Sequence, residues 1–148
     1  MSRKIIINYL LIFIIFTSFI LGLNYSENSS GGASVDFPKI FNNAKIFFSN
    51  NLTSIPWEDY NSSSLPLYYI VLDLFFSELT KEKLIITNLF FTFLSILFLF
   101  LIFQKKIKKI NKSYLLLFSS ILMLSPYVRS STFWGLEEII GVLMLIIT

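Results

Sequence analysis

Long apolar runs alternate with short polar ones along this chain, and the lengths of the runs carry the first conclusions. Residues 5–23, IIINYLLIFIIFTSFILGL, hold 19 positions without a charge, close to the roughly 20 that a helix needs to cross a hydrocarbon core of about 30 Å. A second such run covers residues 84–103, LIITNLFFTFLSILFLFLIF. A third, YLLLFSSILMLSPYV over 114–128, is shorter, and Pro126 is expected to end or bend it. Residues 139–148, IIGVLMLIIT, open a fourth that stops at Thr148. Ten residues cannot complete a crossing, so the sequence reads as the N-terminal part of a longer polytopic protein or a truncated product of one.

Between the first two runs lies a mixed segment, residues 24–83. Pro38 suits the first turn of a helix, and Ile40, Phe41, Ala44, Phe47 and Phe48 fall within about a third of the helical wheel. This predicts a helix over 38–49 lying along a membrane surface. Lys39, Asn42, Asn43, Lys45 and Ser49 then face the polar side, where Ile46 also falls. Residues 66–79, PLYYIVLDLFFSEL, are apolar but interrupted by Asp73 and Glu78, which predicts a second helix in or dipping into the interface. RSSTFWGLEE, residues 129–138, reads as a polar turn. The predicted fold class is all-α: a polytopic transmembrane helical bundle with interfacial helices in its first outer loop.

Composition agrees. Hydrophobic residues make up 55% of the chain and charged residues 14%, and the mean hydropathy is +0.72, which excludes an ordinary soluble domain. Charge placement then predicts sidedness. Arg3 and Lys4 precede the first run, and Lys105, Lys106, Lys108, Lys109 and Lys112 follow the second without an intervening acid. Positive charge stays on the cytoplasmic side, so an integral protein of the inner or plasma membrane is predicted, with its N-terminus cytoplasmic and residues 24–83 outside. The same position accounts for the lysines without a nucleic-acid partner. A cleaved signal peptide shares the basic start, but the apolar run is longer than a signal's and no small-x-small site follows it.

The chain has no Cys and no His, which removes thiolate metal sites and the commonest general base. Candidate chemistry falls to a few carboxylates and one arginine. In GGASVDFPKIF, residues 31–41, Asp36 stands two residues before the predicted helix start. It is either an acid favoured by a helix N-terminus or a general base for an acceptor hydroxyl; spacing does not decide. Arg129, Glu137 and Glu138 are predicted on the same side. They are either interface anchors or the lining of a polar cavity, in which the arginine holds a phosphate and a glutamate orients a hydroxyl. Trp57, Tyr60, Tyr68, Tyr69, Tyr127 and Trp134 read as an aromatic belt.

The order of these parts resembles the N-terminal module of the GT-C superfamily, the multi-span glycosyltransferases that include the protein O-mannosyltransferases and the aminoarabinose transferases of lipid A. SVDFPKIFNNAKIFF is similar to the family's acidic residue and first interfacial helix, SSSLPLYYIVLDLFF to its proline–tyrosine segment, and SPYVRSSTFWGLEE to a polar turn between later spans. The resemblance implies transfer of a sugar from a polyprenyl-phosphate donor to an acceptor hydroxyl of unknown identity. Asp36 takes the role of catalytic base, and Arg129 contacts the donor phosphate. Many members carry two adjacent acids where Asp36 is flanked by Val35 and Phe37. No metal ligands are therefore assigned, and a divalent cofactor stays open. Without the family's remaining spans the chain alone is expected to be inactive. The competing expectation is a non-catalytic polytopic membrane protein, such as a transporter piece or an envelope assembly factor, with membrane lipid as its partner.

Overall fold

The computed structural model describes residues 3–49 and 67–148, which form helices and their connections with no strand among them. Trp57, Tyr60 and the Asn- and Ser-rich part of the mixed segment lie outside the described residues. The helices are α1 (Arg3–Asn24), α2 (Ala33–Ser49), α3 (Leu67–Phe75), α4 (Lys81–Lys106), α5 (Lys112–Ser120), α6 (Pro126–Trp134) and α7 (Glu138–Ile147), with a 3-10 turn over Ile121–Leu124 between α5 and α6.

Among the described residues, α1 and α4 are the two helices long and apolar enough to cross a membrane. They run in opposite directions, with Phe16 stacked on Phe93 at 5.9 Å between ring centroids. Only 22% of the apolar window of each is buried. Leu10, Phe13 and Ile14 on α1 and Ile86, Phe90 and Leu97 on α4 face outward. The core helix of a soluble protein buries such residues, whereas an outward apolar belt needs an apolar surrounding.

The inward faces meet in two clusters. Ile15 and Phe19 of α1 pack with Ile96 of α4, Met123 of the 3-10 turn and Phe133 of α6. Beside them Ala33, Ile40 and Ala44 of α2 join Tyr68, Tyr69 and Leu72 of α3, Leu84 of α4 and Leu136. Trp134 touches both clusters. At one end the bundle is tied by Asn8, whose Nδ2 donates to Ser113 Oγ at 3.0 Å, and there Arg3, Lys4 and the five lysines of 105–112 gather without an acid. The opposite end holds Glu27, Asp36, Glu137 and Glu138.

Several expected boundaries differ. α2 begins at Ala33, five residues before Pro38, so the proline stands inside the helix; its ring removes one backbone donor but the flanking residues Phe37 and Phe41 stack at 5.4 Å and hold the turn. Asn43, expected to face polar surroundings, is buried, and Ile46 packs on the core instead of facing outward. Both follow from the earlier start and from α3 covering one flank of α2. α3 stops at Phe75 rather than near 79, because Thr80 caps α4, its Oγ1 accepting from Lys83 N at 3.3 Å.

The largest difference lies at 114–138. The apolar helical run does end before Pro126, at Leu124, but the proline also starts α6: it sits in the first turn, where a missing N–H costs nothing, behind the N-cap Ser125. Residues 129–134, read as a polar turn, are the buried body of this helix. α6 ends at Gly135, whose φ of 69° is the left-handed conformation a glycine adopts without strain. Leu136 N then donates to Ser131 O at 2.8 Å and Gly135 N to Thr132 O at 3.4 Å.

Candidate functional site

Polar residues on α6 decide the geometry of the acid-rich end. One face of α6 meets a polar stripe on α4 spaced three and four residues apart, Asn88, Thr92 and Ser95, all buried. Asn88 Nδ2 donates to Ser131 O at 2.9 Å and to Leu136 O at 2.6 Å, while its Oδ1 accepts from Tyr68 Oη at 2.7 Å. One amide thus satisfies carbonyls at the C-terminus of α6 and orients α3 as well. Burial pushes the Tyr68 phenol well above its ordinary range, with Glu137 and Glu138 adding to the effect, so it stays a donor. Thr92 and Thr132 share a hydroxyl contact of 2.7 Å. Tyr68 and Tyr69 are therefore core residues and not part of a belt.

The other face of α6 presents Arg129, which is 7% exposed. Its Nε donates to Glu27 Oε1 at 3.0 Å and Oε2 at 3.1 Å, and Nη2 pairs with Glu27 Oε2 and donates to Ser18 O at 2.9 Å. Nη1 faces Ser18 Oγ and Met123 O, each at 3.4 Å. All five guanidinium donors are thus directed at partners within the fold. Phe19 and Phe133 rings flank the cation, at 5.8 and 5.5 Å.

Glu27 reaches this position through the way α1 ends. Ser26 takes a φ of 49°, Ser26 N donates to Leu23 O at 3.1 Å and Glu27 N to Gly22 O at 2.9 Å, the two hydrogen bonds of a Schellman turn. The chain folds back so that the carboxylate lies over Gly22, where any Cβ would strike Arg129 Nη2 and Glu27 Oε2. Trp134 Nε1 donates to Glu27 O at 3.2 Å, and Ser30 N donates to Ser130 Oγ at 2.8 Å, which pins the following loop to α6. The Arg129 guanidinium holds the Glu27 carboxyl below the usual carboxylate range. Beside the pair lies an open groove of about 580 Å³, lined by apolar residues of α1 such as Phe13, Ile14 and Leu21 and closed at its head by Glu27 and Arg129.

Asp36, Glu137 and Glu138 stand apart from the Arg129–Glu27 pair. Asp36 is exposed in the first turn of α2, and its backbone N–H bonds to Gly32 O at 3.0 Å. Of the preceding glycines, Gly31 has a φ of 82° and turns the chain into the helix. Glu137 sits at the N-cap of α7 without a capping side-chain bond, and its Oε2 is buried with no hydrogen-bond partner among the described residues. Glu138, half-buried, accepts from Ser131 Oγ at 3.5 Å. Burial pushes the Glu138 carboxyl up, and the neighbouring charges of Glu137 and Asp36 push it further. Asp36 and Glu138, distant in sequence, are therefore electrostatic neighbours.

Of the residues singled out from sequence, Arg129 is given to Glu27, while Asp36 makes no hydrogen bond or ion pair to Glu137, Glu138 or Arg129 among the described residues and reaches Glu138 only through its charge. Sequence reasoning missed Glu27 and Asn88. The signal for the first was available: Arg3 and Arg129 are the only arginines, and an arginine among lysines marks a planar, hydrogen-bonded ion pair. Lys81 was also passed over; its Nζ lies 4.3 Å from the Trp134 ring centroid and 5.3 Å from that of Phe37. Among the described residues no three His, Cys, Asp or Glu side chains are grouped so as to hold a metal ion. Comparison with protein-family models, with curated proteins and with solved structures found no match to this chain.

Proposed function

We propose that the chain is the N-terminal membrane module of a GT-C-like glycosyltransferase, which transfers a sugar from a polyprenyl-phosphate donor to an acceptor hydroxyl at the extracytoplasmic face. In this reading the bundle is polytopic, α1 and α4 cross the bilayer, and the basic end is cytoplasmic. α2 and α3 lie at the opposite interface.

The reading is supported by an exposed carboxylate, Asp36, in the first turn of α2, whose charge adds to the upward push on the Glu138 carboxyl at the head of another helix. Asp36 accepts the acceptor's proton as its oxygen attacks the anomeric carbon. The bond from that carbon to the donor phosphate oxygen breaks, the configuration inverts and the lipid phosphate leaves. Glu137 and Glu138 orient the hydroxyl. Arg129, with its donors engaged, holds this end together through Glu27, and Lys81 beside Phe37 is the cation offered to the leaving phosphate.

The engagement of Arg129 also favours a second reading, a non-catalytic polytopic protein in which the polar end is a packing joint. The Asp36→Asn variant of the full-length protein separates the two. Under the first reading it inserts at the parental level and loses sugar transfer from a polyprenyl-phosphate donor by 100-fold or more, the order of a general-base contribution of about 10²–10⁴. Undiminished transfer would remove the base assignment.

A further inference from the structure

At the basic end the connection from α4 to α5 reads KKIKKINK over residues 105–112, with an isoleucine at every third position. Ile107 caps α4, its N–H bonded to Phe103 O at 2.8 Å, and Asn111 caps α5, its Oδ1 accepting from Ser113 N at 2.9 Å. The turn between them is thereby fixed at both ends, and it separates two kinds of side chain. Ile107 and Ile110 line a groove of about 320 Å³ with Phe103, Leu115, Phe118 and Ile121. Lys105, Lys106, Lys108, Lys109 and Lys112 are exposed around it, and none of them takes part in an ion pair or side-chain hydrogen bond among the described residues.

Sidedness alone accounts for lysines after an apolar helix. It does not account for an open apolar groove set among them, with Phe118 56% and Ile121 47% exposed. Leu115, Phe118 and Ile121 advance along α5 and the 3-10 turn away from the lysines, a run of roughly 9 Å at 1.5 Å per residue. Charge at one end of an apolar slot is the complement of one class of molecule, an anionic amphiphile with its head at the lysines and its tail down the groove.

We infer that the α4–α5 turn is a binding site for an anionic phospholipid, the phosphate taken by Lys108, Lys109 and Lys112 and the first part of an acyl chain by the Ile107–Ile110–Phe118 groove. The site lies at the opposite end from Asp36 and is independent of any catalytic role.

Native mass spectrometry of the purified chain in detergent tests it, with dioleoyl phosphatidylglycerol, dioleoyl phosphatidylcholine and glycerol 1-phosphate as probes. Phosphatidylglycerol is expected to be retained at least fivefold better than phosphatidylcholine, and glycerol 1-phosphate not to compete. The triple variant Lys108→Gln, Lys109→Gln, Lys112→Gln should bring phosphatidylglycerol down to the phosphatidylcholine level. Ile107→Ser with Ile110→Ser, which leaves every charge in place, should lower it at least threefold. Arg3→Gln with Lys4→Gln, outside the groove, should leave it unchanged. All substituted positions are exposed, and circular dichroism verifies that each variant keeps its helices. Undiminished retention by either turn variant, an equal loss from the Arg3 and Lys4 pair, or full competition by glycerol 1-phosphate would each overturn the assignment.

Discussion

Arg129 and Glu27, 102 residues apart, lock the end of α1 to α6, with Nε 3.0 Å from Oε1 and 3.1 Å from Oε2. The arginine side chain is 8% exposed and the glutamate 32%, so the pair straddles the boundary between interior and surroundings. Removing the acid strands a buried cation, which costs more than the pair contributes. Glu27→Gln should lower stability in detergent micelles by about 1–3 kcal/mol, toward the lower side of the range for broken buried pairs because Glu27 is partly exposed. Arg129→Met with Glu27→Leu should recover part of the loss, read from the unfolding midpoints of the single and double variants.

The pH dependence of stability has two opposed contributions. Glu27 has a folded pKa below its ordinary 4.5, so its contribution is present above that value and is lost as pH falls through the lowered folded value. Glu138 has a folded pKa above 4.5, so the folded state retains its proton longer, and the associated stability is lost as pH rises from 4.5 through the raised value. Thermal unfolding across this range should show a smaller acid loss for Glu27→Gln than for the parent. Glu138→Gln should exceed the parent at neutral pH, with the difference closing in acid.

Asn88 is fully buried and serves three groups on α3 and α6. Asn88→Leu should cost about 1–3 kcal/mol for each buried group left without a partner, and near-ultraviolet circular dichroism should register the displaced Tyr68. The Thr92–Thr132 contact makes the contrast: Thr92→Val with Thr132→Val removes both hydroxyls together and should come close to neutral.

Two helical glycines should respond to alanine with opposite signs. A Cβ at Gly22 meets the Arg129–Glu27 pair, whereas one at Gly141 meets nothing within 4 Å. Gly141→Ala should stabilise by up to about 1 kcal/mol, the helix-propensity difference. Gly22→Ala should destabilise despite the same propensity gain, and comparing the two unfolding midpoints checks the packing of the pair.

How much of this was legible depends on how far each determinant reaches along the chain. α1 and α4 were legible because an uninterrupted apolar run of sufficient length leaves the backbone no better arrangement than a helix. α2 was legible in type but not in start, since Pro38 marks a first turn by preference and can also be absorbed within a helix whose flanks are packed. Asp36 with Glu137 and Glu138 could be assigned to one end from charge order, but the electrostatic coupling of Asp36 to Glu138 could not.

By itself the sequence determined the all-helical character of the described residues, two helices among them long and apolar enough to cross a membrane, and a separation of bare positive charge from acid. Length, periodicity and charge order are properties of neighbouring residues, and they survive any packing. Only the tertiary structure decided that 129–134 is a buried helix and not a turn, that Arg129 belongs to Glu27, and that Tyr68 belongs to Asn88. A polar segment is stable in an interior when partners elsewhere in the chain satisfy each donor and acceptor. Here those partners stand tens of residues or more away, beyond the reach of any local pattern.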